Sequence, residues 1–230
     1  MLDNLKKEVY QANMDLVRHG LVIHTWGNAS GRDPGSGLIV IKPSGVSYAS
    51  LKADDMVVMD PDGRKVEGDL NPSTDAPTHL YLYREFRSIG GVVHTHSSFA
   101  TSWAQAGRDI PAFGTTHADH YYGEVPCTRE LREDEVNNDY ELNTGKVIAE
   151  RLGKLDPLIV PSVLVNGHGP FCWGLDAAEA VYNAAALEEI AKMALYTVLL
   201  GGRESIEKYL LDKHFLRKHG KNAYYGQGKM

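Results

Sequence analysis

The chain begins with apolar residues repeated every three to four positions, a spacing that predicts an amphipathic helix over residues 2–19. Gly20 would end this helix, because glycine is the usual residue just past a helix C-terminus. Polar residues that suit helix starts precede further segments of helical character. These segments predict helices at about 76–86, 97–107, 134–152, 176–200 and 204–218.

Short apolar runs bounded by glycine, proline and aspartate separate the helices and predict β-strands. GLIVIKPSG (37–45) predicts a strand that leads into a turn, and DDMVVMDPDGRKVEG predicts a hairpin that turns at 61–63. Residues 90–96 predict a further strand, and PSVLVNGHGPFCWG (161–174) predicts two short strands around a glycine-rich corner. Strands and helices alternate too irregularly for a doubly wound fold, so we expect an α/β sandwich with a mixed sheet.

Composition narrows the class of protein. The 230 residues are 43% apolar and 23% charged, as in ordinary globular proteins, and we expect one domain over residues 1–230. A net charge of -6 argues against binding to nucleic acid or anionic membranes, although the C-terminal stretch KHFLRKHGKNAYYGQGKM is basic. No signal peptide or membrane-spanning run is apparent, and two cysteines are too few for a disulfide scaffold. We therefore expect a cytoplasmic protein with reduced thiols.

Two histidines end the apolar strand predicted at 90–96. Side chains at i and i+2 leave the same face of a strand, so His94 and His96 can converge on one ion. His168, flanked by glycines after another apolar run, is a third candidate ligand for a catalytic zinc ion. Asp75 could add an oxygen ligand or orient a ring. The alternatives are hydrogen-bonded histidines at a strand end and a simple helix-capping aspartate.

Three small polar segments are candidate anion sites. WGNASG (26–31) and KPSG (42–45) contain glycine and read as turns, which can direct backbone N–H groups at a phosphate. PST (72–74) lies at a predicted helix N-terminus, where the helix dipole favours an anion. Each could be an ordinary loop, but together they suggest a small phosphorylated ligand. A nucleotide is disfavoured, since there is no Walker A sequence and no convincing GxGxxG.

Seven segments distributed along the chain resemble the sugar-phosphate epimerases of the class II aldolase/adducin family. They are WGNASG, IKPSGVSY, PSTDAPTH, GGVVHTHSSFATSWAQAG, GTTHADHYYGEVPCTR, NGHGPFCWG and LLDKHFLRKHGKNAYYGQ. The resemblance implies a three-layer α/β/α sandwich with a mixed, mostly antiparallel central sheet. It also implies a homotetramer whose active sites lie between neighbouring subunits.

The same resemblance implies roles for individual residues. Asp119 and Tyr225 match a proton-transfer pair, with the tyrosine supplied by the adjacent subunit, and His214 and Arg217 match substrate-binding residues of the tail. Thr74 stands where a serine is usual and retains the hydroxyl. The residues that match the metal site are Asp75, His94, His96 and His168. The residues that match the phosphate site are Gly27, Asn28, Lys42, Ser44, Gly45, Ser73 and Thr74.

The implied activity is the interconversion of L-ribulose 5-phosphate and D-xylulose 5-phosphate in pentose catabolism, by cleavage and re-formation of the C3–C4 bond. Related aldolases that resemble this chain carry a glutamate where it has Asp75, which favours the epimerase. An aldolase or dehydratase on the same scaffold, and a metal-free interaction domain as in adducin, remain alternatives. A zinc hydrolase is disfavoured because no HExxH sequence is present. Zinc is the expected metal, with manganese or cobalt as alternatives.

Overall fold

A seven-stranded sheet forms the centre of the protein in the computed structural model, which describes residues 2–202 and 204–226. The strand order is β4-β3-β2-β1-β5-β7-β6, and every neighbouring pair is antiparallel. Within the described ranges, the isolated bridge between Cys127 and Leu164 is the parallel pairing beside this otherwise antiparallel sheet. The strands are β1 (Gly27–Arg32), β2 (Ile39–Ile41), β3 (Val57–Met59), β4 (Lys65–Glu67), β5 (Gly91–Thr95), β6 (Ser162–Leu164) and β7 (Pro170–Gly174).

Helices cover both faces of the sheet and complete the predicted three-layer sandwich. Helices α1, α3 and α7 pack on one face, whereas α2 and α6 pack together on the other. None of the helices in the described part of the chain is long and apolar enough to cross a membrane. The helices are α1 (Asp3–Arg18), α2 (Ala76–Glu85), α3 (Ser98–Gln105), α4 (Thr115–Ala118), α5 (Glu133–Asn137), α6 (Tyr140–Leu152), α7 (Ala177–Leu199) and α8 (Lys208–His219), with a 3-10 turn at Ala53–Asp55.

The segment WGNASG is not the anion-binding turn that its composition suggested. Most of it forms β1, which lies at the centre of the sheet between β2 and β5. Its small residues allow close packing, because a Cβ added to Gly31 would lie 2.9 Å from the Val9 side chain of α1. On the opposite face, the Ser30 hydroxyl contacts His79 and Tyr83 of α2. The strand was missed because small polar residues do not show the apolar alternation of a typical strand.

Two predicted helices differ from those observed. The segment 134–152 forms two helices, α5 and α6, because Asp139 adopts a positive φ of 55° that no helix can accommodate. The last helix begins at Lys208 rather than near residue 204. The predicted α1, α2, α3 and α7, the hairpin of β3 and β4, and the pair β6 and β7 are confirmed. Asp176 also caps α7 as expected, since its carboxylate accepts a hydrogen bond from the Glu179 N–H.

Candidate metal centre

Antiparallel register brings the candidate ligands to one end of the sheet. His94 in β5 lies opposite Asn28 of β1 on one side and opposite Phe171 of β7 on the other. His168 lies in the turn between β6 and β7, just before β7 begins. One ligand nitrogen from each of His94, His96 and His168 lies within 4.8 Å of the other two. The predicted convergence of the three histidines is therefore confirmed.

The orientation of the rings suits a metal ion. The Nδ1–H of His94 donates to the Pro170 carbonyl oxygen at 3.0 Å, which leaves the Nε2 lone pair of His94 free. The Nε2 atoms of His94 and His96 are 3.0 Å apart. Two nitrogens bound to one tetrahedral zinc ion at about 2.0–2.1 Å would be separated by about 3.3 Å, so a small movement would admit the ion.

The lowered pKa values of two of these histidines also favour metal binding at this site. His94 is buried, His168 is partly buried and His96 is exposed to the cleft. Burial, together with the neighbouring His94 and His96, lowers the pKa of His168 to about 3. Burial likewise lowers the pKa of His96. Neutral imidazoles with free lone pairs are the form that binds a divalent cation, so the donor set fits zinc or a related ion.

Asp75 occupies the position before α2 but does not cap that helix with its side chain. Its Oδ2 atom accepts a hydrogen bond from the Asn28 amide at 2.6 Å. Burial alone would raise the pKa of Asp75, but the nearby His94 and His79 and the Asn28 hydrogen bond hold it below its usual value. Asp75 lines the same cleft as the three histidines, although the group of converging ligand atoms contains only the imidazoles.

His79 lies in α2, one helical turn after Asp75. It is completely buried, and its Nδ1 atom lies 2.7 Å from the Ser30 hydroxyl. Its Nε2 atom has no hydrogen-bond partner among the described residues. Burial lowers the pKa of His79 to about 3, so this ring is neutral behind the metal centre.

An open cleft of about 490 Å³ extends from the three histidines. Its wall includes Trp26, Thr101 and Gln105, none of which was singled out from the sequence. Thr101 and Gln105 are four residues apart on α3, directly after the histidine pair, so helical spacing could have identified them. The buried Oγ1 atom of Thr101 and the buried Oδ1 atom of Asn28 lack hydrogen-bond partners within the described ranges, which is typical of groups that bind a ligand.

The residues predicted to hold the phosphate come together beside this cleft. The Ser73 hydroxyl accepts a hydrogen bond from the Asn28 amide at 3.1 Å, and the Ser73 N–H donates to the Lys42 carbonyl oxygen at 3.0 Å. These contacts join the turn at 42–45 to the turn at 72–74. Among the predicted residues, Ser44, Gly45 and Thr74 are exposed, whereas Gly27, Asn28 and Ser73 are buried.

Lys42 is buried and supports the first of these turns. Its ammonium group donates to the Val46 carbonyl oxygen at 2.8 Å and lies 4.9 Å from the centre of the Tyr48 ring. The Tyr48 hydroxyl in turn donates to the Gly27 carbonyl oxygen at 2.9 Å. Burial lowers the pKa of Lys42. These contacts link the turn to the first residue of β1.

Asp119 and the tail residues form a second cluster. The guanidinium of Arg217 donates to both carboxylate oxygens of Asp119, at 2.9 Å and 2.7 Å, and His214 Nδ1 lies 3.1 Å from Oδ1. The cation of Arg217 is 5.1 Å from the centre of the Tyr225 ring, which is 61% exposed. Burial would raise the pKa of Asp119, but hydrogen bonds from Arg217 and His214 and the charge of Lys218 hold it below its usual value.

The second cluster is separate from the cleft of the same chain. No residue of this cluster is among the described residues that line the cleft around the histidines. The structure thus unites the candidate metal ligands with most of the candidate phosphate residues, but it places Asp119, His214, Arg217 and Tyr225 in a group of their own.

Comparison with known proteins agrees with this geometry. The chain is 58% identical to the L-ribulose-5-phosphate 4-epimerase UlaF of Salmonella paratyphi A over 227 residues, which cover 98% of this chain and 100% of that protein. The UlaF epimerase of Salmonella typhi is equally similar.

Solved structures of aldolases resemble the chain in fold at lower sequence identity. An L-fuculose 1-phosphate aldolase is 25% identical with a TM-score of 0.78 and covers 92% of this chain and 94% of its own. The L-fuculose-1-phosphate aldolase of Thermus thermophilus is 27% identical with a TM-score of 0.68, over 89% and 100% of the two chains. The class II aldolase and adducin N-terminal domain matches residues 7–195. The chain therefore belongs to the class II aldolase and adducin family.

Proposed function

We propose that this protein is a metal-dependent epimerase that interconverts L-ribulose 5-phosphate and D-xylulose 5-phosphate in pentose catabolism. The observation that carries the proposal is the convergence of three imidazoles at the mouth of an open cleft. The 58% identity to curated epimerases over nearly the whole chain specifies the reaction among those of the family.

The chemistry of the substrate explains why such a site is needed. The hydrogen on C4 of the ketopentose is not acidic, so deprotonation at that carbon cannot invert it. Cleavage of the C3–C4 bond leaves a three-carbon enediolate and glycolaldehyde phosphate, and re-addition to the other face of the aldehyde inverts C4. A divalent cation held by His94, His96 and His168 supplies a Lewis acid for the negative charge that develops on the substrate oxygens.

The protein must retain the two-carbon fragment while the aldehyde turns. The joined turns at 42–45 and 72–74 support phosphate binding, because Ser44 and Thr74 carry exposed hydroxyls and Thr74 lines the cleft. We assign this role to Gly27, Asn28, Lys42, Ser44, Gly45, Ser73 and Thr74. Lys42 acts by shaping the turn, since its ammonium group donates to the Val46 carbonyl oxygen.

Two proton carriers are also required, one for each face of C4. We assign them to Asp119 and Tyr225. Asp119 is ionised near neutral pH because Arg217 and His214 stabilise its carboxylate, so it is suited to accept a proton from the C4 hydroxyl. Tyr225 is exposed, and the cations of Arg217 and Lys218 lie 5.1 Å and 4.5 Å from the centre of its ring.

The separation of the two clusters supports a site shared between subunits. We propose a homotetramer in which the second cluster of one chain, including His214 and Arg217, completes the cleft of its neighbour. Each chain, residues 1–230, would act as one catalytic domain. Helix α7 carries exposed apolar side chains suited to such contacts. They belong to Tyr182, Met193, Tyr196 and Leu199.

Zinc is the proposed metal, with Asp75 as a fourth ligand through a carboxylate oxygen or as a group that orients the ion. The support is the chemistry of the donors, since three imidazoles and a carboxylate suit zinc better than a harder cation. A cytoplasmic location is also proposed. Its support is that Cys127 and Cys172 are both free and buried, as expected of a reducing compartment.

A turnover assay tests the proposed function. The metal-loaded protein is incubated with L-ribulose 5-phosphate, and D-xylulose 5-phosphate is measured with and without a chelator. We expect conversion that the chelator abolishes and that added zinc restores. Net release of glycolaldehyde phosphate without epimer would instead indicate an aldolase. His19→Ala, which changes an exposed histidine far from the cluster in sequence, is a control that should leave turnover unchanged.

A further inference from the structure

We propose that Tyr140 is a positioning residue that fixes the third candidate metal ligand, His168, by accepting a hydrogen bond from its Nδ1–H. The Tyr140 hydroxyl lies 3.3 Å from His168 Nδ1. The inference rests on the metal centre of the proposed function, but it does not depend on which sugar phosphate is converted.

His168 needs such a partner more than His94 does. His94 lies within β5, and the Pro170 carbonyl oxygen of the neighbouring strand fixes its Nδ1. His168 lies in a turn after Gly167, which has a positive φ of 71°, and its ring receives no backbone acceptor among the described residues. The phenol therefore takes the place of a backbone carbonyl and leaves Nε2 of His168 for the metal.

Hydrogen bonds to helices α2 and α6 fix the position of Tyr140. It is the first residue of α6, and its carbonyl oxygen accepts a hydrogen bond from the Thr144 hydroxyl at 2.9 Å. The next residue, Glu141, accepts a hydrogen bond from Thr78 of α2 through its carbonyl oxygen. Helix α2 begins directly after Asp75, so these contacts place Tyr140 and Asp75 on helices that are joined near the cleft.

The hydroxyl group, rather than the ring alone, carries the proposed role. The phenol oxygen is the acceptor within reach of the Nδ1–H of His168. Without the oxygen, His168 could rotate, and its neutral form would be divided between two tautomers. Only the tautomer with hydrogen on Nδ1 presents the Nε2 lone pair. Loss of such a partner typically weakens metal binding by about 10- to 100-fold.

The test replaces the hydroxyl while keeping the ring. Tyr140→Phe and the control Tyr209→Phe, at a site 75% exposed, are prepared metal-free. Zinc affinity is measured by competition with a chromogenic chelator, without substrate. The visible spectrum of the cobalt-substituted protein reports the ligand geometry directly. Thermal unfolding of the metal-free proteins reports any loss of packing.

We expect Tyr140→Phe to bind zinc about 10- to 100-fold more weakly and to alter the cobalt spectrum, while the metal-free unfolding midpoint matches that of the control. Zinc affinity within about threefold of the wild type would overturn the proposal, since the smallest expected loss is about tenfold. A lower metal-free midpoint than the control would assign Tyr140 a packing role and overturn it as well. Failure of the wild-type protein to bind zinc would instead contradict the proposed function.

Discussion

Gly27 contacts the strand that carries His94, and replacing it tests whether this close packing supports the candidate metal centre. This glycine is the first residue of β1 and lies opposite Thr95, the residue between the two histidines of the pair. Its φ is 118°, a conformation that side-chain-bearing residues rarely adopt. A Cβ at this position would lie 2.8 Å from the His94 carbonyl oxygen and 2.9 Å from the Val22 side chain.

Both features contribute to the expected cost of Gly27→Ala. The backbone conformation costs about 1–3 kcal/mol for a residue other than glycine. Relief of the steric overlap with the backbone of β5 costs a further 1–3 kcal/mol or so, as in other overpacked sites. We therefore expect about 2–6 kcal/mol of lost stability, out of a total of about 5–15 kcal/mol. The displaced strand carries His94, so metal affinity should fall as well.

Urea unfolding of the metal-free protein measures the first effect, and chelator competition measures the second. Gly20→Ala is the matched control, because Gly20 also has a positive φ, 67°, but no atom lies within 4 Å of an added Cβ. It should cost about 1–2 kcal/mol, the penalty of the left-handed conformation alone. Equal destabilisation of the two variants would refute the argument that contact with β5 requires glycine at position 27.

Three further outcomes are expected. His96→Ala should abolish zinc binding and turnover, and turnover that survives in the variant, or in wild-type protein after chelation, would contradict the metal role. Tyr225→Phe should cripple turnover with zinc affinity unchanged, as measured by steady-state kinetics and chelator competition; unaltered kinetics would remove Tyr225 from the mechanism. Burial holds the pKa of His117 at about 4, below the 6.5 of an unperturbed histidine. As the pH falls from 6.5 towards 4, the unfolded chain therefore binds a proton at this residue that the folded chain does not, and the free energy of unfolding decreases. Between about pH 7 and pH 5 this loss is about 2 kcal/mol, and His117→Asn should reduce the pH dependence of urea unfolding accordingly.

Sequence patterns predicted the elements that follow simple periodicity. Helices α1 and α7 have apolar residues at helical spacing and clear end signals, and β5 begins with an apolar run that leads to His94. By contrast, β1 consists of small and polar residues, because side chains of the neighbouring helices pack closely against both of its faces. The central position of β1 in the sheet depends on its packing against other elements, which a local sequence pattern does not reveal.

The same division applies to the site. The sequence alone predicted that His94 and His96 leave the same side of the chain, because alternation is a local property of extended backbone, and the structure places His96 one residue past β5. Only the tertiary structure decided that His168 joins them, that Tyr140 contacts His168, and that Asp119 pairs with Arg217. These residues are far apart along the chain, and their meeting depends on strand register and helix packing. Such contacts are fixed by the folded backbone as a whole rather than by the residues next to them in sequence.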